Sequence, residues 1–382
     1  MEKFFRIHNY LIEHTQSPVP RKLMDDIDWN HRLIGIKGCR GVGKTTFLLE
    51  YAKRFPEEKK ECLYINLNQF YFTECNLVDF AGRFTAEGGK VLLIDQVFKY
   101  PDWSSAIRQC YDLYPQLHIV FTGSSVMRLK EENPDLSGLV KVYYLQGYSF
   151  REYLNLIAGS NIEPVRLDDI LRNPNKFADA IKKQVDPSIH LQNYLHHGYY
   201  PFFLEKRNFS ENLLKTMNMM LEVDVLLIKQ IAVDYLWKLR RLLYLLAISE
   251  SSVTNVSQLS NDLNTSRATV MNYLKYLEDA RLLNLIYAQG ESFPKKPTCV
   301  YLNNSNLLYA IYGADVSAQN ISKTFVFSTL HGKCKLSKDA KKTNILVNGI
   351  YQVGLKDEDT IICTDKSGNN TEIPIWLFGM QY

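Results

Sequence analysis

Gly38-Cys39-Arg40-Gly41-Val42-Gly43-Lys44-Thr45 fits the phosphate-binding pattern G-x-x-x-x-G-K-[ST] at every position. The apolar run Leu33-Ile34-Gly35-Ile36 precedes it and reads as a buried strand, while Phe47-Leu48-Leu49-Glu50-Tyr51 follows it and reads as a helix. Strand, glycine-rich loop and helix in that order make a phosphate cradle. The glycines let backbone N–H groups turn onto phosphate oxygens, and the helix N-terminus adds a positive partial charge. In this reading Gly38, Cys39, Arg40, Gly41, Val42, Gly43, Lys44, Thr45 and Thr46 surround the phosphates of a nucleotide. Lys44 reaches the β- and γ-phosphates, and Thr45 holds magnesium.

Outward from this loop, short apolar runs alternate with helical stretches between residues 32 and 144. The strands fall at 33–36, 62–66, 91–94, 119–121 and 142–144. Such alternation predicts an α/β domain with a parallel sheet covered on both faces. Ligands of such sheets sit at the carboxyl ends of the strands, where the loop already lies. Val91-Leu92-Leu93-Ile94-Asp95 ends in a carboxylate, so Asp95 joins Thr45 as a magnesium-holding residue. The expected catalytic set is Lys44, Asp95 and Gln96. ATPases of this organisation usually place Glu directly after the strand-terminal Asp, and here that residue is Gln96. An amide orients a water but cannot accept its proton. Losing a general base costs about 10²–10⁴ in rate. At the end of the fourth strand, Thr122 and Ser124 read either as groups that sense the γ-phosphate or place water, or as plain turn residues.

The chain has 382 residues, enough for two to four domains. A net charge of +4 permits nucleic-acid contact without requiring it. The 7 cysteines form no C-x-x-C pair, as expected for reduced thiols in a cytoplasmic protein. Glu2, Lys3 and Arg6 among Phe4, Ile7 and Leu11 suggest an amphipathic helix rather than a signal peptide. No apolar run is long enough to cross a membrane. The expected organisation is a helix and a turn at Ser17-Pro18-Val19-Pro20 within 1–30, a P-loop domain at 31–158, a helical domain at 159–235, a winged-helix domain at 236–315 and a small α+β domain at 316–382.

Within residues 251–289, Val256, Leu259 and Leu263 define one helix and Asn264-Thr265 turns the chain. Ser266 then caps a second helix with Val270, Leu274 and Leu277 inward. Arg267, Ala268, Met271, Asn272 and Lys275 are left outward, a helix-turn-helix arrangement. Arg267 and Asn272 are types that read base edges, and Lys275 suits a phosphate. Gly290 to Thr298, with Lys295 and Lys296, would form a wing. DNA binding and plain packing use remain equal readings of this module. The lysines between Lys333 and Lys342 read as a solvated loop or a phosphate-binding patch.

Several stretches together resemble the AAA-like ATPases of Bacteroides-type bacteria and of archaea that carry a C-terminal winged helix and a restriction-endonuclease-like domain. They are Arg40 to Thr46, Asn66 to Thr73 (NLNQFYFT), Gly88 to Trp103 (GGKVLLIDQVFKYPDW), Ile119 to Ser125 (IVFTGSS), Ser149 to Tyr153 (SFREY, read as a strand), His197 to Pro201 (HGYYP) and Pro374 to Gly379 (PIWLFG). The resemblance implies adenine as the base and ATP with Mg²⁺ as ligands. The family usually has D-E-V-H-K-Y-P where this chain has Asp95-Gln96-Val97-Phe98-Lys99-Tyr100-Pro101. An arginine usual before S-F-R-E-Y is missing from Ser137-Gly138-Leu139-Val140, leaving Arg128 or Arg151 as substitutes. The family's nuclease-like pattern, an Asp and then E-x-G-G-K, meets Asn344 or Asn348 and Gln352-Val353-Gly354-Leu355-Lys356 here. Only Lys356 survives, which implies a nuclease relic.

The sequence therefore reads as an ATP-binding AAA-like ATPase that acts as a nucleotide-dependent switch with slow hydrolysis. The competing readings are a nucleotide-gated DNA-binding protein without turnover and, behind both, a metal-dependent nuclease. A further protein partner or an oligomer is left open.

Overall fold

The computed structural model describes residues 1–15, 21–126, 134–205, 208–227, 229–249, 253–338 and 344–381. The turn expected at 17–20, Arg128, Lys341 and Lys342 lie outside these. The chain divides into two compact units, Met1–Gln146 and Gly147–Tyr382. Among the described residues, no helix is long and apolar enough to cross a membrane.

The first unit is built on a five-stranded sheet: β1 (Leu33–Gly38), β2 (Cys62–Asn66), β3 (Val91–Asp95), β4 (His118–Ser124) and β5 (Lys141–Tyr144). All neighbours are parallel, and the spatial order is β2-β3-β4-β1-β5. Every residue of β1 and β3 is buried, as expected of strands covered on both faces. Crossover helices Lys44–Ala52, Leu77–Ala86 and Trp103–Leu113 supply the cover. Asn76 starts the second of these by accepting the N–H groups of Val78 and Asp79 at 2.7 and 3.3 Å. Its Phe80 and Phe84, together with Phe4, close the core on that side. Because all strands run one way, β1, β3 and β4 present their carboxyl ends on a single edge. β4 lies between the other two.

β2 is an edge strand, so one side of its backbone has no ladder partner. The N-terminal helix Glu2–His14 covers that side. Buried His8 accepts the Tyr64 N–H through Nδ1 at 3.0 Å. The ring must stay neutral to accept, and burial lowers its pKa to about 4.

The second unit opens with helix Phe150–Ile157, where a strand was expected from Ser-Phe-Arg-Glu-Tyr. The correction has a local cause in a reciprocal cap. Ser149 Oγ accepts the Glu152 N–H at 3.1 Å, and Glu152 Oε2 accepts the Ser149 N–H at 3.1 Å. Helices then continue through Leu236–Ile248. The helix pair Val256–Asp262 and Arg267–Asp279 follows, joined through Asn264 in the left-handed region (φ 46°). β6 (Leu283–Ile286) and β7 (Cys299–Leu302) form an antiparallel pair, and Val253 adds a bridge to Cys299. After helices Ser305–Tyr312 and Ala318–Leu330 comes an antiparallel meander. Its strands are β8 (Leu336–Lys338), β9 (Ile345–Val347), β10 (Tyr351–Leu355), β11 (Thr360–Thr364) and β12 (Asn370–Pro374). The closing helix Ile375–Phe378 is wholly buried.

His8 carries a pH signature. Its folded pKa lies below the unfolded value, so its contribution to stability is complete above about pH 6.5 and is lost as pH falls toward 4. A shift of this size corresponds to roughly 3 kcal/mol. His8→Gln keeps an acceptor without a titration. Its unfolding free energy is expected to fall less than that of the wild type between pH 7 and 4.5. Parallel urea titrations at both pH values check this, and equal losses in the two proteins would refute it.

Candidate nucleotide site

The loop between β1 and helix Lys44–Ala52 shows why its glycines are glycines. A side chain at Gly38 would bring its Cβ to 2.5 Å from the Leu145 carbonyl oxygen, on the segment leaving β5. Gly43 is the N-cap residue at φ 91°, a conformation costly for any residue with a Cβ. Gly43 has no side chain to cap this helix, which leaves the positive end of its dipole for an anionic ligand. Lys44 Nζ donates to the carbonyls of Gly38 and Cys39, both at 2.8 Å, which draws the ammonium onto the loop. Cys39 and Val42 are buried, while Arg40, Gly41, Gly43, Lys44 and Thr46 are partly exposed and Thr45 is exposed.

Asp95 ends β3 and is 1% exposed. Its Oδ2 accepts from Thr45 Oγ1 at 2.7 Å, Tyr64 Oη at 2.9 Å and Asn66 Nδ2 at 3.4 Å. Its Oδ1 accepts from Thr122 Oγ1. Helix Lys44–Ala52 contributes one donor, β2 two and β4 one, so the carboxylate ties together four segments of the sheet edge. Burial, and then the Asp95 carboxylate beside it, push the Tyr64 phenol well above its ordinary range. Tyr64 therefore stays a donor.

Gln96 follows in the left-handed region, at φ 57° and ψ 50°. Such a conformation costs a residue with a Cβ about 1–2 kcal/mol, and surrounding structure must impose it. Thr122 supplies one restraint: its Oγ1 accepts the Gln96 N–H at 3.0 Å while donating to Asp95. The hydroxyl is therefore engaged on both sides, by the Asp95 carboxylate and by the Gln96 N–H. Ser124 is also buried, and its Oγ accepts the Val126 N–H at 3.4 Å.

Lys44, Thr45, Asp95, Gln96 and Thr122 thus meet at one edge, as the motif spacing implied. Tyr64, Asn66 and Arg21 were not foreseen. The first two are two residues apart on β2 and so share a face. Polar groups at that spacing, in a strand otherwise read as apolar, were the available signal. Arg21 is 7% exposed and braces the loop from behind, donating to Val42 O at 3.4 Å and to Gln146 O at 2.7 Å.

The other expected residues lie in the second unit. Ser266 caps helix Arg267–Asp279 by accepting the Thr269 N–H at 3.0 Å. Arg267, Ala268 and Asn272 are exposed. Lys275 is not outward: it pairs with Glu278 at 2.8 Å and Asp279 at 3.0 Å, at 24% side-chain exposure. The two carboxylates one helical turn on draw it to the helix side and neutralise it. Arg151 is buried and donates to Ile162 O at 3.1 Å. Lys356 Nζ meets Glu372 at 2.6 Å, and no cluster of potential metal ligands occurs among the described residues.

Residues 30–154 match a protein family described as an AAA domain, and residues 188–316 match a domain of unknown function. The chain is 30% identical over 278 residues to an uncharacterised protein of Methanocaldococcus jannaschii; the match takes in 69% of this chain and 58% of that protein. It therefore spans less than two thirds of that relative's length. Among solved structures the chain is similar to ORC1 of Aeropyrum pernix in complex with DNA, with 12% identity and a TM-score of 0.32, over 81% of this chain and 91% of that one. It is also similar to AMPPCP-bound DnaA of Aquifex aeolicus, with 13% identity and a TM-score of 0.26, over 72% and 88% of the two chains. The first unit has an AAA-like P-loop fold, and all the loop, Asp95 and β4 residues described above fall within the matched span.

Removing the Tyr64 hydroxyl takes one hydrogen bond from a buried carboxylate. Tyr64→Phe is expected to lower the unfolding free energy by about 1–3 kcal/mol. An unchanged urea midpoint would show that Asp95 does not rely on it.

Proposed function

We propose that this protein is a magnesium-dependent ATP-binding switch that holds nucleotide and hydrolyses it slowly. The observation that carries the reading is the pairing of an intact Asp95 network with an amide at position 96. The loop, its uncapped helix and Lys44 suit a polyphosphate. Thr45 and Asp95, 2.7 Å apart, suit a hydrated magnesium ion. Magnesium, when bound, would neutralise phosphate charge. Lys44 would leave the Gly38 and Cys39 carbonyls for phosphate oxygens, and Gln96 would orient a water without removing its proton. Adenine is chosen by the family resemblance rather than by any group in the loop.

Single-turnover hydrolysis with Mg²⁺-ATP tests this, with nucleotide binding followed in the same samples. Wild type and Gln96→Glu are expected to bind alike, and Gln96→Glu to hydrolyse about 10²–10⁴-fold faster. Rapid turnover by the wild type, with little gain on substitution, would refute the slow-switch reading. Lys44→Ala is expected to lose nucleotide binding.

A second reading rests on the exposed Arg267 and Asn272 on a helix followed by the β6–β7 hairpin, an arrangement that supports a winged helix reading DNA. With Lys275 neutralised by its own helix, the phosphate-directed charge of this face is smaller than the sequence suggested. DNA affinity, if this reading holds, falls with salt and drops in Arg267→Ala. Equal retention of both proteins on DNA at all salt concentrations would favour a packing role. A nuclease finds little support, because Asn344 and Gln352 are not acids and Lys356 is paired with Glu372.

A further inference from the structure

Lys338 ends β8 and is 6% exposed, while Cys299 begins β7 and is fully buried. Lys338 Nζ lies 3.3 Å from Cys299 Sγ. The backbone holds the pair in place: Lys338 N–H donates to Tyr287 O at 3.1 Å, and Tyr287 follows Ile286, the residue paired with Cys299 across the hairpin. Among the described residues, Cys299 is the one polar side chain within hydrogen-bond reach of this ammonium. A buried ammonium has three donors and needs a counter-charge, and a neutral thiol is a weak acceptor. The contact places a sulfur nucleophile and a proton-donating nitrogen within reach of one another.

We propose that Lys338 and Cys299 form an oxidation-dependent cross-linking site that hydrogen peroxide converts to a sulfur–nitrogen bond. The Cys299 sulfur attacks one peroxide oxygen and the O–O bond breaks. The departing hydroxide takes the thiol proton, leaving a sulfenic acid and water, and the Lys338 ammonium gives up one proton to solvent. Sulfur is oxidised by two electrons and peroxide is reduced by two. The Lys338 nitrogen then attacks the same sulfur, the S–O bond breaks, and the hydroxide leaves as water with a proton from nitrogen. The resulting sulfenamide staples β7 to β8, and a thiol reductant reverses it. Cys75 is the internal contrast. It is partly exposed and its Sγ accepts from the Arg83 guanidinium at 3.1 Å, a cation without a comparably nucleophilic nitrogen.

The full-length chain, treated with hydrogen peroxide and digested with trypsin, reads the outcome by mass spectrometry. The expected result is the Cys299 peptide joined to the Lys338 peptide with loss of two hydrogens. Cleavage after Lys338 is then lost, and dithiothreitol restores it. Lys338→Arg is expected to give sulfenic or higher acids at Cys299 and no link. If Cys75 is oxidised in the wild type while Cys299 stays reduced, pairs with another cysteine or ends as an unlinked sulfur acid, the proposal is overturned.

Discussion

One buried carboxylate organises the first unit. Asp95 sits at the end of a strand buried along its whole length and accepts from Thr45, Tyr64, Asn66 and Thr122. An unpaired acceptor at such a site would carry a desolvation cost of several kcal/mol. Each donor therefore holds its own segment against β3: the phosphate-loop helix through Thr45, β2 through Tyr64 and Asn66, and β4 through Thr122. The insertion of β4 between β1 and β3 makes the arrangement possible. It spaces the phosphate loop away from Asp95 and leaves Thr45 to reach across.

On the proposed switch reading, this network would separate nucleotide binding from turnover. None of its members depends on the chemistry of the side chain at position 96. The backbone of Gln96 is held by Thr122 through its N–H. An amide can therefore occupy the position in an undisturbed site, where a loss of Asp95 or Thr122 would leave buried groups without partners.

Much of this was legible in the residues. The eight-residue loop and the five apolar runs specify the parallel sheet, because only strands covered on both faces read as near-continuous apolar stretches. Asp95 was legible because it ends such a run. Tyr64 and Asn66 were not, since their roles depend on which strand neighbours β3, and strand order is a property of the closed sheet. His8 was hidden for a related reason: its partner is an edge-strand N–H, and sequence does not say which strand is at the edge. Ser-Phe-Arg-Glu-Tyr reads as a strand from the family resemblance, although Phe150 and Tyr153 stand three apart, a helical spacing, and the Ser149–Glu152 cap starts a helix there.

The second unit shows the same limit in its charges. Lys275 counted as an outward cation when only its place in the helical repeat was considered. Glu278 and Asp279, three and four residues on, lie on the same side and take it. Lys356 is likewise the last residue of a catalytic pattern by spacing, yet the antiparallel neighbour of β11 brings Glu372 to it. In both cases a cation that appears free in the linear sequence has a carboxylate set by the geometry of the element. Arg267 and Asn272, about two turns and one turn earlier on the helix and away from those acids, keep their exposure. On the DNA-binding reading, they would leave a surface narrower and less cationic than the residue types alone imply, so affinity for a polyanion would rest on few charges and be correspondingly sensitive to salt.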